Sequence, residues 1–254
     1  MKTALRLLAA LALCAAGDAL AVGGLVDVTV YDRTEGRTLQ VFRHQGRHYV
    51  AGRPGNEYQV TIRNRTGEEV LAVLSVDGVN AITAETAGTG QSGYVIGPWG
   101  SVEVKGWRKS LERTAAFYFT ELSDSYAARS GRPEDVGVVG VAVFRRKWSP
   151  PPAEVLQDLS KDAPASGAAE FPARPQAQAP RAKAEEKLGT GHGRNEHSPA
   201  RYVEFERESA TPNEVVALYY DSRPNLAARG VIREPRPLRE PRPFPAGFVP
   251  DPPR

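Results

Sequence analysis

The run Val70-Leu71-Ala72-Val73-Leu74-Ser75-Val76-Asp77-Gly78-Val79-Asn80 constrains this chain more than any other stretch. Residues 70–76 are Val, Leu and Ala but for one Ser, and they lead into Asp-Gly, the pair that tolerates the positive φ angles of a two-residue hairpin turn. The pattern predicts a buried strand, a turn at Asp77-Gly78 and a return strand through Ile82. Further strands are predicted at Ser92 to Ile96, Ser101 to Lys105, Ala115 to Glu121 and Val136 to Phe144. The last carries Val139, Val141 and Val143 on one face and Val138, Gly140, Ala142 and Phe144 on the other. A strand apolar on both faces is central, and its second face needs a cover.

Upstream, Leu25 to Tyr31 alternates, and Leu39 to Arg43 with Arg47 to Ala51 flank Gln45-Gly46 as a hairpin. Glu57 to Arg63 alternates cleanly: Tyr58, Val60 and Ile62 face a core while Gln59, Thr61 and Arg63 face water. Gly106 to Arg113 breaks the alternation and reads as a loop or a helical turn. Asp124 is placed to cap a short helix through Arg129 that stops at Gly131, and Ser222 to cap one that stops at Gly230. Together these elements predict an all-β fold, an antiparallel β-sandwich of ~9 to 11 strands with short helical turns.

The two ends and the middle read differently. Lys2 and Arg6, the apolar Leu7 to Ala16 and the small-x-small Ala19-Leu20-Ala21 have the form of a signal peptide over residues 1–21, cleaved after Ala21. The single cysteine, Cys14, lies inside it, so the mature chain would hold no disulfide and no thiolate site. Leu13 before Cys14 is larger than a lipid-attachment site prefers, which sets the anchored reading second. No later apolar run approaches the ~20 residues of a membrane span. The β domain is expected over 22–148. Residues 149–200, opening with Pro150-Pro151-Pro152 and poor in aliphatics, predict a disordered Pro/Ala-rich linker. Residues 201–232 return to β-branched and aromatic types at Tyr202, Phe205 and Val215 to Tyr220, giving strands and a helical turn that complete the sandwich. Residues 233–254 form a Pro/Arg-rich tail in which Arg233-Glu234-Pro235-Arg236-Pro237 repeats as Arg239-Glu240-Pro241-Arg242-Pro243.

Chemistry is harder to place. A formal net charge of +3 without a dense basic stripe disfavours nucleic acid as a partner. No Gly-x-Ser-x-Gly elbow is present, and no Ser is tied by spacing to a His and an acid. The carboxylate pairs Asp27 with Asp32, and Glu134 with Asp135, fall at strand ends and turns, where solvated charge is the usual explanation. His44 with His48, and His192 with His197, are the candidates for a metal, against the commoner reading of solvated loop histidines. The Gly-rich run Gly189 to Gly193 does not lead from a strand into a helix and fails as a phosphate loop. Tyr94, Trp99, Trp107, Arg108 and Lys109 could form an exposed ledge for a glycan, a peptide or an anionic group. The alternative is that the two Trp plug the ends of the sandwich, leaving Arg108 and Lys109 exposed.

The segments Ser75 to Asn80, Gly93-Tyr94-Val95, Gly106 to Leu111, Ser125-Tyr126-Ala127-Ala128 and Val136 to Ala142 resemble a family of uncharacterised secreted bacterial β-domain proteins. The likeness spans residues 25–145 and resumes from Leu188 to Ile232. It implies a shared exported β domain with no settled activity and assigns no residue a role. The function expected is therefore an exported, periplasmic or secreted, non-catalytic binding or envelope-associated module. Its partner would be a cell-envelope protein or glycan, with no cofactor. Two alternatives stand beside it: a metal-dependent hydrolase or oxidase using the four histidines, and an assembly component docking through its Pro-rich tail.

Overall fold

Alternation that buries every second side chain gives strands, and the computed structural model has fourteen among the residues it describes, 22–148 and 187–233. In chain order they are β1 (Val26–Asp32), β2 (Arg37–Thr38), β3 (Val41–His44), β4 (Arg47–Gly52), β5 (Glu57–Asn64), β6 (Val70–Val76) and β7 (Val79–Asn80). There follow β8 (Tyr94–Ile96), β9 (Ser101–Val104), β10 (Gly106–Arg108), β11 (Arg113–Glu121), β12 (Val138–Arg145), β13 (Leu188–His197) and β14 (Glu214–Ser222). Two short helices, α1 (Tyr126–Arg129) and α2 (Arg223–Ala228), join them. The expected signal segment with Cys14, most of the expected linker and all but the first residue of the tail lie outside the described residues.

The strands form two seven-stranded sheets. In the first, β11 has β13 along one edge and β10 with the end of β5 along the other, while β5 continues to β1 and β2 and also pairs β9. In the second the order is β3-β4-β14-β12-β6, and both β7 and β8 pair the outer edge of β6. One core lies between them. Val28, Val30, Tyr58, Val60, Ile62, Phe117 and Phe119 enter it from the first sheet, and Val50, Leu74, Val76, Val139, Val141 and Leu218 from the second. The all-β sandwich expected from the alternation is the fold. The second sheet is mixed, however, because β14 runs parallel to β4 and antiparallel to β12.

Several local expectations need correction. Leu188–His197, placed in the linker by its shortage of aliphatics, is a ten-residue strand. Its glycines alternate because one face has no room: a Cβ on Gly191 would lie 2.1 Å from the Tyr118 ring, and one on Gly189 would lie 2.6 Å from Cβ of Ser125. Tyr202 to Phe205, expected as a strand, is irregular. It belongs to a strap over the outer face of the second sheet, where Arg207 lies 4.3 Å above Phe144 and Arg146 lies 4.8 Å above Phe205. Arg207 also donates to the carbonyls of Thr89 and Gln91. This strap, with Val95, covers the Ala142 and Phe144 end of β12's second face, while β14 pairs β12 edge to edge. The return strand after Asp77-Gly78 stops at Asn80, whose Oδ1 accepts the Ile82 and Thr83 amides. The N-cap of α1 is Ser125, which accepts from the Ala128 amide, and not Asp124.

Candidate functional site: a cleft over a buried carboxylate

Asp77 and Gly78 have φ of +53° and +71°, as the hairpin turn requires. The turn aims the Asp77 side chain inward, where it is completely buried. A buried charge is tolerable only if hydrogen-bonded, and Asp77 collects donors from both sheets. Oδ1 accepts from the Gly137 amide at 2.9 Å and the Tyr220 hydroxyl at 2.5 Å, and Oδ2 from the Thr190 amide at 2.8 Å. Thr190 Oγ1 lies 2.6 Å from both the Tyr220 and the Tyr58 hydroxyls. With Asp77 ionised, Tyr220 must give it its proton, so Thr190 donates to Tyr220 and Tyr58 to Thr190. Burial pushes the Asp77 carboxyl up to about 6 against the pull of its donors. Burial, with the Asp77 charge behind it, raises both tyrosines well above their usual range, which keeps their protons in place.

This chain of groups closes one corner of the sandwich. β13 is the last strand of its sheet, and its outward amides lack a backbone ladder. The Thr190 amide is taken by Asp77 and the Leu188 amide by Asp221 Oδ1 at 3.3 Å. Asp221 also accepts from the Ser222 amide and from Asn225, and its second oxygen stands 3.6 Å from Arg229. Two carboxylates of the second sheet thus stand in for the strand that the first sheet lacks. Every oxygen of Asp77 is engaged and none is exposed, so this carboxylate holds the fold and offers nothing to a substrate.

Above the corner opens a cleft of about 540 Å³ floored by Gly137, Leu188, Tyr220 and Asp221. Arg47 from the start of β4, Lys187 before β13 and Arg229 after α2 bring cations to it, and the helical turn Pro133–Asp135 brings Glu134 and Asp135. Stacking orders one wall: Arg47 sits 5.2 Å over Tyr219, Tyr219 packs on Tyr49 at 5.6 Å, and Arg229 lies 5.4 Å over Tyr49. Arg47, Lys187, Glu134 and Asp135 are exposed, and their side chains make no hydrogen bond or ion pair with another described residue. A second cleft, of about 360 Å³, is different in kind: its Glu35 is paired with Arg37 at 2.7 Å and Arg53 at 3.4 Å.

Of the residues singled out from sequence, Trp107 stacks on His192 at 6.4 Å, Lys109 is near His192 and Tyr94 lies beside Arg108, while Trp99, His44 and His48 stand on other segments. Trp107 is 2% exposed, packed edge-on against Phe117 at 4.8 Å and tilted against Tyr126 at 4.9 Å. It is a core plug. Trp99 is 64% exposed on the turn before β9, eight residues and roughly 25 Å of extended chain away. Tyr94 is half-buried beside Arg108; burial raises its hydroxyl, and the guanidinium draws it part of the way back. Arg108 donates to the Ser198 carbonyl at 2.8 Å and to Ser198 Oγ at 3.2 Å, and Lys109 to Asn195 at 3.0 Å, so neither is a free cation. His44 and His48 lie on β3 and β4 at the edge of the second sheet, His192 and His197 on β13 at the edge of the first. Burial depresses His48 and His192, each further lowered by a neighbouring cation, Arg43 and Lys109 respectively. No group of three or more His, Cys, Asp or Glu able to hold a metal occurs among the described residues. Asp32, taken from sequence as solvated, is 1% exposed and accepts from Thr34, Glu35 and Asn56. No helix among the described residues is long and apolar enough to cross a membrane.

No family model, curated protein or solved structure matches the chain.

Proposed function

We propose that the chain is an exported, non-catalytic binding module of the cell envelope, and that the corner cleft is its ligand-binding surface. One observation carries the placement: the cleft gathers four exposed charged side chains that make no ion pair with another described residue, onto a frame fixed by the Asp77 and Asp221 ties. A third cleft, of about 340 Å³, carries a single exposed charge of each sign, Asp124 and Arg129, and the remaining prominent polar groups near clefts are engaged. Asp77 is sealed in the core, and Glu35 is held by two arginines. Exposed charges around a concave floor suit recognition, because a ligand of complementary charge is selected over others. Export rests on the sequence of residues 1–21, and an envelope ligand follows from that location.

Retention of the mature chain on isolated cell-envelope material tests the reading. Arg47→Glu with Lys187→Glu should lose retention with only a small fall in thermal midpoint, since both residues are exposed and the one contact removed is the Arg47 stack on Tyr219. Arg108→Ala with Lys109→Ala should keep it. Retention unaffected by the charge reversal would overturn the assignment of the cleft.

A further inference from the structure

Resting on the cleft as the binding surface, we infer that its ligand is a short peptide carrying both a free carboxylate and a free ammonium. Asp221 is buried, filled by three donors and faced by Arg229 at 3.6 Å, so that pair is internally balanced. Two cations, Arg47 and Lys187, and two anions, Glu134 and Asp135, are left around one opening.

Each simpler ligand class leaves part of this set unsatisfied. A phosphate or another compact anion that reaches Arg47 and Lys187 brings its charge into the space shared with Glu134 and Asp135. A polyamine meets the converse repulsion. An uncharged glycan removes water from four charges and returns hydrogen bonds alone, a poor exchange for ionised groups. A bipolar ligand pairs with both sets, and the mixed lining selects against species of one sign. The volume, about 540 Å³, lies within the roughly 300–1,000 Å³ of drug-sized sites and exceeds what one amino acid needs.

The test uses the full mature chain and four forms of one probe: trialanine with free termini, N-acetyl-trialanine, trialanine amide, and the doubly capped peptide. Binding is read by calorimetry or amide chemical shifts at low salt. Trialanine should bind at least threefold more tightly than either singly capped form, with the neutral form weakest, and added salt should erase the differences. Arg47→Ala with Lys187→Ala should remove the preference for a free carboxylate. Glu134→Gln with Asp135→Asn should remove the preference for a free amine. A capped form binding as well as trialanine overturns the inference. So does binding by none of the four, and if envelope retention still depends on Arg47 and Lys187, the cleft remains the binding surface with another ligand class. Loss of both results removes the cleft assignment itself.

Discussion

The tie at Asp77 makes a quantitative demand on pH. The carboxyl is pushed from its ordinary 3.8 up to about 6, and burial is the dominant cause. A carboxyl whose folded value lies above its unfolded value binds its proton more tightly in the fold. Its favourable contribution is complete below about pH 3.8 and is lost as pH rises through about 6. The free-energy equivalent is on the order of 3 kcal/mol, at 1.36 kcal/mol per pH unit of difference. For a chain of 150–250 residues that is roughly 6–12 °C in thermal midpoint. Glu35 and Glu57, both lowered by arginines, push the pH profile the other way, so wild type alone does not isolate the effect. Asp77→Asn keeps the shape and removes the titration, and groups common to both proteins cancel in the difference. Urea unfolding of both from pH 3.5 to 7.5 should show wild type losing about 3 kcal/mol relative to the variant across the window. Parallel profiles would mean that Asp77 titrates at its unfolded value, and the account of a burial-dominated carboxylate would be wrong.

Three further outcomes follow from the packing. Trp107→Ala should cost about 3–5 kcal/mol by denaturant unfolding, whereas Trp107→Phe should cost much less, because the indole nitrogen is buried without a partner among the described residues. An equal loss in both would count against the core-plug assignment. Arg207→Ala removes two carbonyl contacts and the stack on Phe144 and should loosen the strap. The expected cost is about 1–3 kcal/mol with faster trypsin cleavage at Arg201, and unchanged cleavage would show that the strap is held elsewhere. N-terminal sequencing of envelope-associated protein should begin at Val22, and an intact Met1 would refute cleavage after Ala21.

How much of this was legible in the sequence depended on whether the cause was local. The burial of Val26, Val28 and Val30, and of Tyr58, Val60 and Ile62, follows a period of two that any window reveals. The turn at Asp77-Gly78 follows from the positive φ both residues accept, and the one at Gln45-Gly46 from Gly46, with Gln45 also held at φ +48°. Asp77 misled because the turn already explained it; nothing nearby announces that an amide 113 residues away needs its carboxylate. β13 was hidden for the opposite reason, since glycines and charges are poor strand formers. The alternate spacing at 189, 191 and 193 was the available signal of close packing. Trp107 read as loop because Gly106 sits against the Ala115 backbone, where a Cβ would lie 1.9 Å from the carbonyl oxygen, and that approach spoils the alternation. The cleft gathers its charges from segments at 47, 134–135 and 187, a juxtaposition that only the topology creates.

The position of β14 has a consequence for how the chain comes into being. It is last among the described strands, yet it fills the space between β4 and β12 in the interior of its sheet. Its first residue, Glu214, also accepts the amides of Gly24, Leu25 and Val26 at the other end of the chain. A ribosome delivers β4 and β12 long before the element that must sit between them, so folding cannot keep pace with synthesis. Contacts of such long range form slowly, and the waiting edges are prone to pair wrongly. A chain that must be threaded across a membrane before folding gains from that delay. The keystone strand stays missing until residues 214–222 have been made, and on the export proposed above that delay would let the apparatus capture the chain unfolded.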